Sequence, residues 1–183
     1  MSINYKNVNK ELIDYIKKNI LPEYDKNDKG HGILHILEVI RRSFELKESL
    51  NLDYLDDDVI FAIASCHDNG KYIDHKTHEK IAAERFYANQ GFKKFFTDEQ
   101  RKIIKEAIED HRSSFEDTPR SDYGKLISSA DRNSTIDIVP SNTMGASSFL
   151  EMRIAVICLN SKIMGVVGST LPFTSTTTTS CLE

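Results

Sequence analysis

His67 and Asp68 stand side by side at the exit of Val59-Ile-Phe-Ala-Ile-Ala-Ser-Cys66, an almost wholly apolar run. An imidazole and a carboxylate there are expensive to desolvate unless something satisfies both. A divalent cation does so, because it takes neutral imidazole nitrogen and carboxylate oxygen together. A His-Asp pair is common by chance, and alone it carries little. Four further residues add to it. His35 lies among Ile33, Leu34, Ile36 and Leu37, His78 and His111 sit at the start and end of amphipathic segments, and Asp131 follows Ile127-Ser-Ser-Ala130. A carboxylate within small and apolar residues needs a partner of its own. One shared ion accounts for these positions together.

The remaining histidines are different. His31 precedes His35 by four residues, which would place both on one helix face, as in the His-x-x-x-His of a zinc protease helix. That motif requires Glu after the first histidine as its base, and Gly32 stands there, so a protease is excluded. His31 is expected to line a substrate entrance or cap the helix. His75, in a loop rich in Lys and Asp, is expected to be exposed to solvent.

These residues need helices to carry them. Val8, Leu12, Tyr15, Ile16 and Ile20 recur at helical steps up to Pro22. A polar loop from Asp25 to Gly30 leads to a longer helix with Ile33, Leu34, Leu37, Ile40, Phe44 and Leu50 as its apolar stripe. Asp56, Asp57 and Asp58 place negative charge and a cap before the apolar run that ends at Cys66. Thr77 can cap a helix that stops near Gly91, and Thr97-Asp-Glu-Gln100 has the form of a capping box. Leu126, Ile127 and Ala130 suit a last buried helix. No run of alternating strands occurs, so residues 1–137 read as all-α.

The averages belong to one ordinary soluble domain: 183 residues, 39% hydrophobic and 28% charged. A net charge of -4 provides no bulk positive field for nucleic acid or an anionic membrane, so stable binding to either is not expected. Cys66, Cys158 and Cys181 are far apart and form no C-x-x-C pair, which fits a reducing cytoplasm rather than a disulfide framework. The first twenty residues lack the pattern of a signal peptide. Charge is uneven, however, with 48 of the 52 charged side chains before residue 138. Residues 138–183 include fourteen Ser or Thr and are expected to be a charge-poor segment ordered only in part.

His35, then His67-Asp68, then Asp131 resembles the H…HD…D signature of the HD-domain metal-dependent phosphohydrolases, across roughly residues 25 to 137. The surrounding texture agrees: Lys29-Gly-His-Gly-Ile-Leu-His-Ile-Leu-Glu-Val39, His67-Asp-Asn-Gly-Lys71 and Ser129-Ala-Asp-Arg132. The resemblance implies a compact all-α HD-domain bundle in which His35, His67, Asp68 and Asp131 hold one metal. His78-Glu-Lys-Ile-Ala-Ala-Glu84 and Glu109-Asp-His111-Arg112 are similar to the later histidines of the six-ligand branch, which includes cyclic-dinucleotide phosphodiesterases. By that likeness His78, His111 and a bridging oxygen of Asp68 would hold a second ion. This chain has His111-Arg112 where that branch has two adjacent histidines, and it lacks the branch's later signature.

The family resemblance implies one or two divalent ions (Mn, Fe, Mg, Co, Ni or Zn), acidification of a bound water, and in-line attack on the phosphorus of a small phosphoester such as a nucleotide. Asp68 and Lys71 would be the catalytic residues, Lys71, Arg112 and Arg132 would meet the substrate's phosphoryl oxygens, and His31 would bind substrate at the entrance. Two other functions fit the same ligands: a di-iron oxygenase on the HD scaffold, and a non-catalytic metal- or nucleotide-sensing module.

Overall fold

The structure is a computed structural model that describes residues 7–112 and 118–132. The expected boundary at residue 137 and the partial order of residues 138–183 lie outside the described residues. Within them the chain is all-helical, with six α-helices and no strand: α1 Lys10–Asn19, α2 Ile33–Ser49, α3 Asp57–Cys66, α4 His78–Ala88, α5 Asp98–Asp110 and α6 Asp122–Arg132. Two 3₁₀ helices, Leu21–Lys26 and Gln90–Lys94, follow α1 and α4.

The third helix is central because its sequence allows nothing else. Val59 through Cys66 is apolar apart from Ser65, and all eight residues are buried, against α1, α2, α4, α5 and α6. Each fully buried side chain of the size of Ile60 or Ile63 contributes about 2 kcal/mol of transfer free energy. Asp56 starts the helix by accepting from the backbone N–H groups of Asp58 and Val59 at 2.8 and 3.3 Å. The capping box of α5 is also present: Thr97 Oγ1 accepts from Gln100 N at 3.2 Å, and Gln100 Oε1 from Thr97 N at 3.0 Å.

Three local expectations are corrected. The inward face of α2 is His35, Ile36, Val39, Ile40 and Ser43, not the stripe beginning at Ile33 and Leu34. Leu34 is 48% exposed and Leu50 60%. A helix turns as one body at about 100° per residue, so directing His35 inward brings residues 36, 39 and 43 with it. Thr77 occupies the N-cap position of α4, but its hydroxyl donates to Asp74 at 2.7 Å and caps no backbone N–H.

Gly91 is not the C-terminal stop of α4 either. The helix ends at Ala88, and Gly91 lies inside the second 3₁₀ helix because Tyr15 leaves no room for a side chain. A Cβ there would sit 2.0 Å from the Tyr15 hydroxyl oxygen, which donates to Asn89 at 2.7 Å while its ring meets Phe92 edge-on at 5.2 Å. Tyr15 therefore cannot swing aside without losing both contacts. Gly91→Ala is expected to destabilise the fold by about 1 to 3 kcal/mol, read as a lower urea midpoint. An unchanged midpoint would show that Tyr15 yields freely.

Candidate metal centre

Helix ends build the site. His67 is the C-cap residue of α3, His111 that of α5, and His78 the first residue of α4. Each ring places Nδ1 against the carbonyl oxygen three residues earlier: His67 on Ala64 at 2.8 Å, His78 on His75 at 3.0 Å and His111 on Ile108 at 2.6 Å. A carbonyl only accepts, so Nδ1 carries the proton and a neutral ring presents a bare lone pair at Nε2. Carbonyls of a last helical turn thus set the tautomer of His67 and His111.

Asp68 gathers those lone pairs. Its Oδ1 lies 2.9 Å from His78 Nε2 and 3.6 Å from His111 Nε2, while its Oδ2 lies 3.6 Å from His35 Nε2 and 3.8 Å from His67 Nε2. One carboxylate oxygen faces each histidine pair. The Nε2 atoms also face one another, His67 to His35 at 3.4 Å and His78 to His111 at 3.2 Å. Asp131, on α6, closes the first group, with Oδ1 at 3.2 Å from His35 and 3.8 Å from His67. His67 and Asp68 can both turn inward, although neighbours in sequence, because α3 ends at Cys66 and the backbone tightens: Asn69 N donates to Cys66 O and Lys71 N to Asp68 O. Gly70 completes the turn at φ +131°, where a Cβ would also stand 2.7 Å from Ile81 Cγ2.

These residues suit a cation. Asp68 Oδ1 is buried and has no hydrogen bond of good geometry, although His78 Nε2 is within 2.9 Å of it; with the His78 ring neutral and its proton on Nδ1, two lone pairs face each other there. Such a pair is unfavourable until a proton or a cation enters between the atoms. Two groups, His35/His67/Asp68 and Asp68/His78/His111, each bring their donor atoms within 4.8 Å of one another, and all are buried. The mixed imidazole and carboxylate set matches the borderline divalent metals.

Charge follows the same geometry. Burial is the largest influence on His67 and holds it neutral, down to about 4, against the pull of Asp68 and Asp131. Burial alone would raise Asp68, but the surrounding histidines, His67 foremost, keep its carboxyl well below the usual range. Burial also opposes the charge on Asp131, and the hydrogen bond with His35 together with the nearby His67 and His111 outweighs it, bringing the group to about 2.

The other sequence-derived positions spread around this centre. Lys71 places Nζ 3.6 Å from Asp68 Oδ2, within the cluster's electrostatic reach. His31 adjoins it, with its ring edge-on to that of His35 at 5.6 Å. Arg132 donates to Ser128 Oγ at 2.8 Å. Arg112 points its guanidinium at the carbonyls of His75 and Lys76 and at Glu79, 3.1 to 3.4 Å away, and so staples the α4 entrance to the end of α5. His75 is 62% exposed, and Asp28 lies between it and His31, 3.4 Å from the former and 2.9 Å from the latter. Asp28, Asn27 and Arg85 also border the site, and neither spacing nor resemblance points to them. Their only signal in the sequence is a short polar turn before α2 and a lone arginine on α4. No helix among the described residues is long and apolar enough to cross a membrane.

Comparison with known proteins adds the following. A family model described as HD domain matches residues 32–136. The chain is similar to the crystal structure of a predicted HD superfamily hydrolase from an uncultured Thermotogales bacterium, at 20% identity and a TM-score of 0.56, covering 83% of this chain and 90% of that one. At that identity the likeness speaks for the fold. No curated protein matches.

The buried cluster sets a pH dependence. His67 takes its proton near 4 when folded and near 6.5 when unfolded, so the unfolded chain binds more protons between those values and stability falls as pH drops through that window. Asp68 and Asp131 are depressed carboxylates, whose contribution is present above about 3.8 and is lost further down. Metal-free protein is expected to melt several degrees lower at pH 5 than at pH 7. Added Zn²⁺ or Mn²⁺ should raise the midpoint at pH 7 and much less at pH 5, because protons compete for the same lone pairs. Differential scanning calorimetry at both pH values, with and without metal, measures this, and a flat profile would contradict it.

Proposed function

The chain belongs to the HD-domain family, and from that membership we propose that it is a metal-dependent phosphohydrolase acting on a small phosphoester, with nucleotides as the first substrates to try. The observation that carries the proposal is the division of Asp68: one oxygen toward His78 and His111, the other toward His35 and His67. That division would let Asp68 contribute a ligand atom to each of two ion sites. His35, His67, Asp68 and Asp131 would hold the first ion, and Asp68, His78 and His111 the second. When bound, a divalent cation acidifies water and offsets charge on phosphoryl oxygens.

The chain's own groups do the rest. His67, His78 and His111 keep their protons on Nδ1, fastened to carbonyls, so the inward nitrogens stay available without reorganisation. Asp131 is the most open of the six candidate ligands, with 24% of its side chain exposed against at most 9% for the others, which supports an approach for substrate and water from the α2 and α6 side. Lys71 keeps its ammonium beside Asp68 on that shared carboxylate, where it can meet a phosphoryl oxygen and position the ester in line. His31 and Arg132 adjoin His35 and Asp131 respectively and would contact the rest of the substrate, while Arg112 would act on it only after releasing Glu79.

Purified protein supplied with Mn²⁺, Co²⁺, Fe²⁺, Mg²⁺, Ni²⁺ or Zn²⁺ is expected to hydrolyse at least one of an aryl phosphodiester, an aryl phosphomonoester and a nucleotide panel. Asp68→Asn and His67→Ala should each lose roughly 100-fold or more in kcat, the scale for removing one preorganised electrostatic group. Lys71→Ala should lose less in kcat and raise KM. Absence of turnover with every metal, or wild-type rates in His67→Ala, would overturn the proposal, and substrate-dependent oxygen uptake would replace it with oxygenase chemistry.

A further inference from the structure

The turn bearing Asp68 has to be held in register with the start of α2, where His35 Nε2 comes within 3.6 Å of Asp68 Oδ2, and so with the loop through His31 that leads into that helix. One side chain joins the two. Asn27 Nδ2 donates to the carbonyl of His31 at 2.9 Å and to the carbonyl of Asp68 at 3.3 Å, and its Oδ1 accepts from Tyr72 N at 3.0 Å. A carboxamide is the natural group for this task, since it donates and accepts through a single rigid plane.

Its own footing is firm. Asn27 follows the 3₁₀ helix Leu21–Lys26 and returns its backbone N–H to Tyr24 O at 3.1 Å. The Tyr24 hydroxyl is buried and donates to Ser65 O at 2.9 Å, two residues before His67. Asn27 is thereby referenced to α3 on one side and reaches the end of the Asp68 turn on the other. Asp68 O is held by Lys71 N at 3.1 Å as well, so the Asp68 peptide has two donors fixing its plane. Rotation of that peptide would swing a carboxylate whose two oxygens must face different histidine pairs.

We infer that Asn27 is a positioning residue of the metal centre: its carboxamide locks the Asp68 turn to the loop entering α2, and so fixes how the Asp68 carboxylate is shared. The inference rests on the metal-centre reading above. It concerns binding of the ion, and it does not require turnover.

The test uses the full chain and Co²⁺ alone as probe. Asn27→Ala is expected to weaken Co²⁺ binding by calorimetry by roughly 10-fold or more, the range seen when a group behind a metal ligand is removed. Its cobalt visible absorption should shift while far-ultraviolet circular dichroism stays as in wild type. Tyr72→Phe, which loses the hydroxyl bond to Glu23 but keeps the backbone N–H that Asn27 accepts, should bind and absorb as wild type does. Equal affinity and an unchanged spectrum in Asn27→Ala would overturn the inference. Should that variant not fold, wild-type protein decides: saturation with Zn²⁺ should slow amide exchange at Tyr72, because coupling between the ion and the Asn27 lock must run both ways. Exchange that ignores Zn²⁺ would count against it. A chain that passes these tests and hydrolyses nothing sinks the phosphohydrolase proposal alone.

Discussion

A carboxylate nearly free of solvent, surrounded by imidazole lone pairs, is the constraint around which this bundle is arranged. Asp68 is 2% exposed, and its Oδ1 takes no hydrogen bond. Leaving such a group uncompensated costs several kcal/mol. The fold tolerates it because four histidines from four different helices converge on its two oxygens, ready to share a cation. That convergence demands that α2, α3, α4 and α5 all meet at one point, and the fully apolar α3 gives them a common surface to pack on.

Placing the ligands at helix termini solves two problems together. The final carbonyls of a helix lack intrahelical donors, and imidazole Nδ1–H groups three residues on can supply them. The same bond turns Nε2 inward as an acceptor. His67 and His111 each satisfy a helix end and prepare a ligand with one ring, and His78 repeats the arrangement against the loop before α4. The supporting polar groups reach in from the other side: Asn27 from the loop before α2, and Arg85 donating to Asn69 Oδ1 at 3.1 Å and pairing with Glu23 at 3.2 Å. The His67 to Tyr72 turn is held on both flanks.

Much of this was legible from residue types. Apolar Val59 to Cys66 could only be central, the Asp56 cap and the Thr97 box marked two helix starts, and His35, His67, Asp68, His78, His111 and Asp131 stood out as polar groups in apolar company. Other features were hidden. The periodicity of α2 fitted two faces, and the inward one was chosen by His35 reaching Asp68 and Asp131. Gly91 looked like a helix stop, whereas its reason is Tyr15, 76 positions away in the chain. Thr77 had the right type for a cap, but Asp74 competes for its hydroxyl. Asn27 and Asp28 read as ordinary turn residues, since nothing local marks a side chain whose partners lie across the fold.

By itself the sequence determined the helical class, the identity of the ligand candidates and the chemistry they favour, because hydrophobic period and donor type are properties of short stretches of chain. The tertiary structure decided how those ligands are apportioned: which oxygen of Asp68 faces which histidines, where Lys71 rests, and that Arg112 serves α4 and Glu79 in this arrangement. Apart from the Lys71 contact within the Asp68 turn, those outcomes depend on distances of about 3 to 4 Å between side chains that different helices bring together. Such distances arise from packing, and no local pattern encodes them.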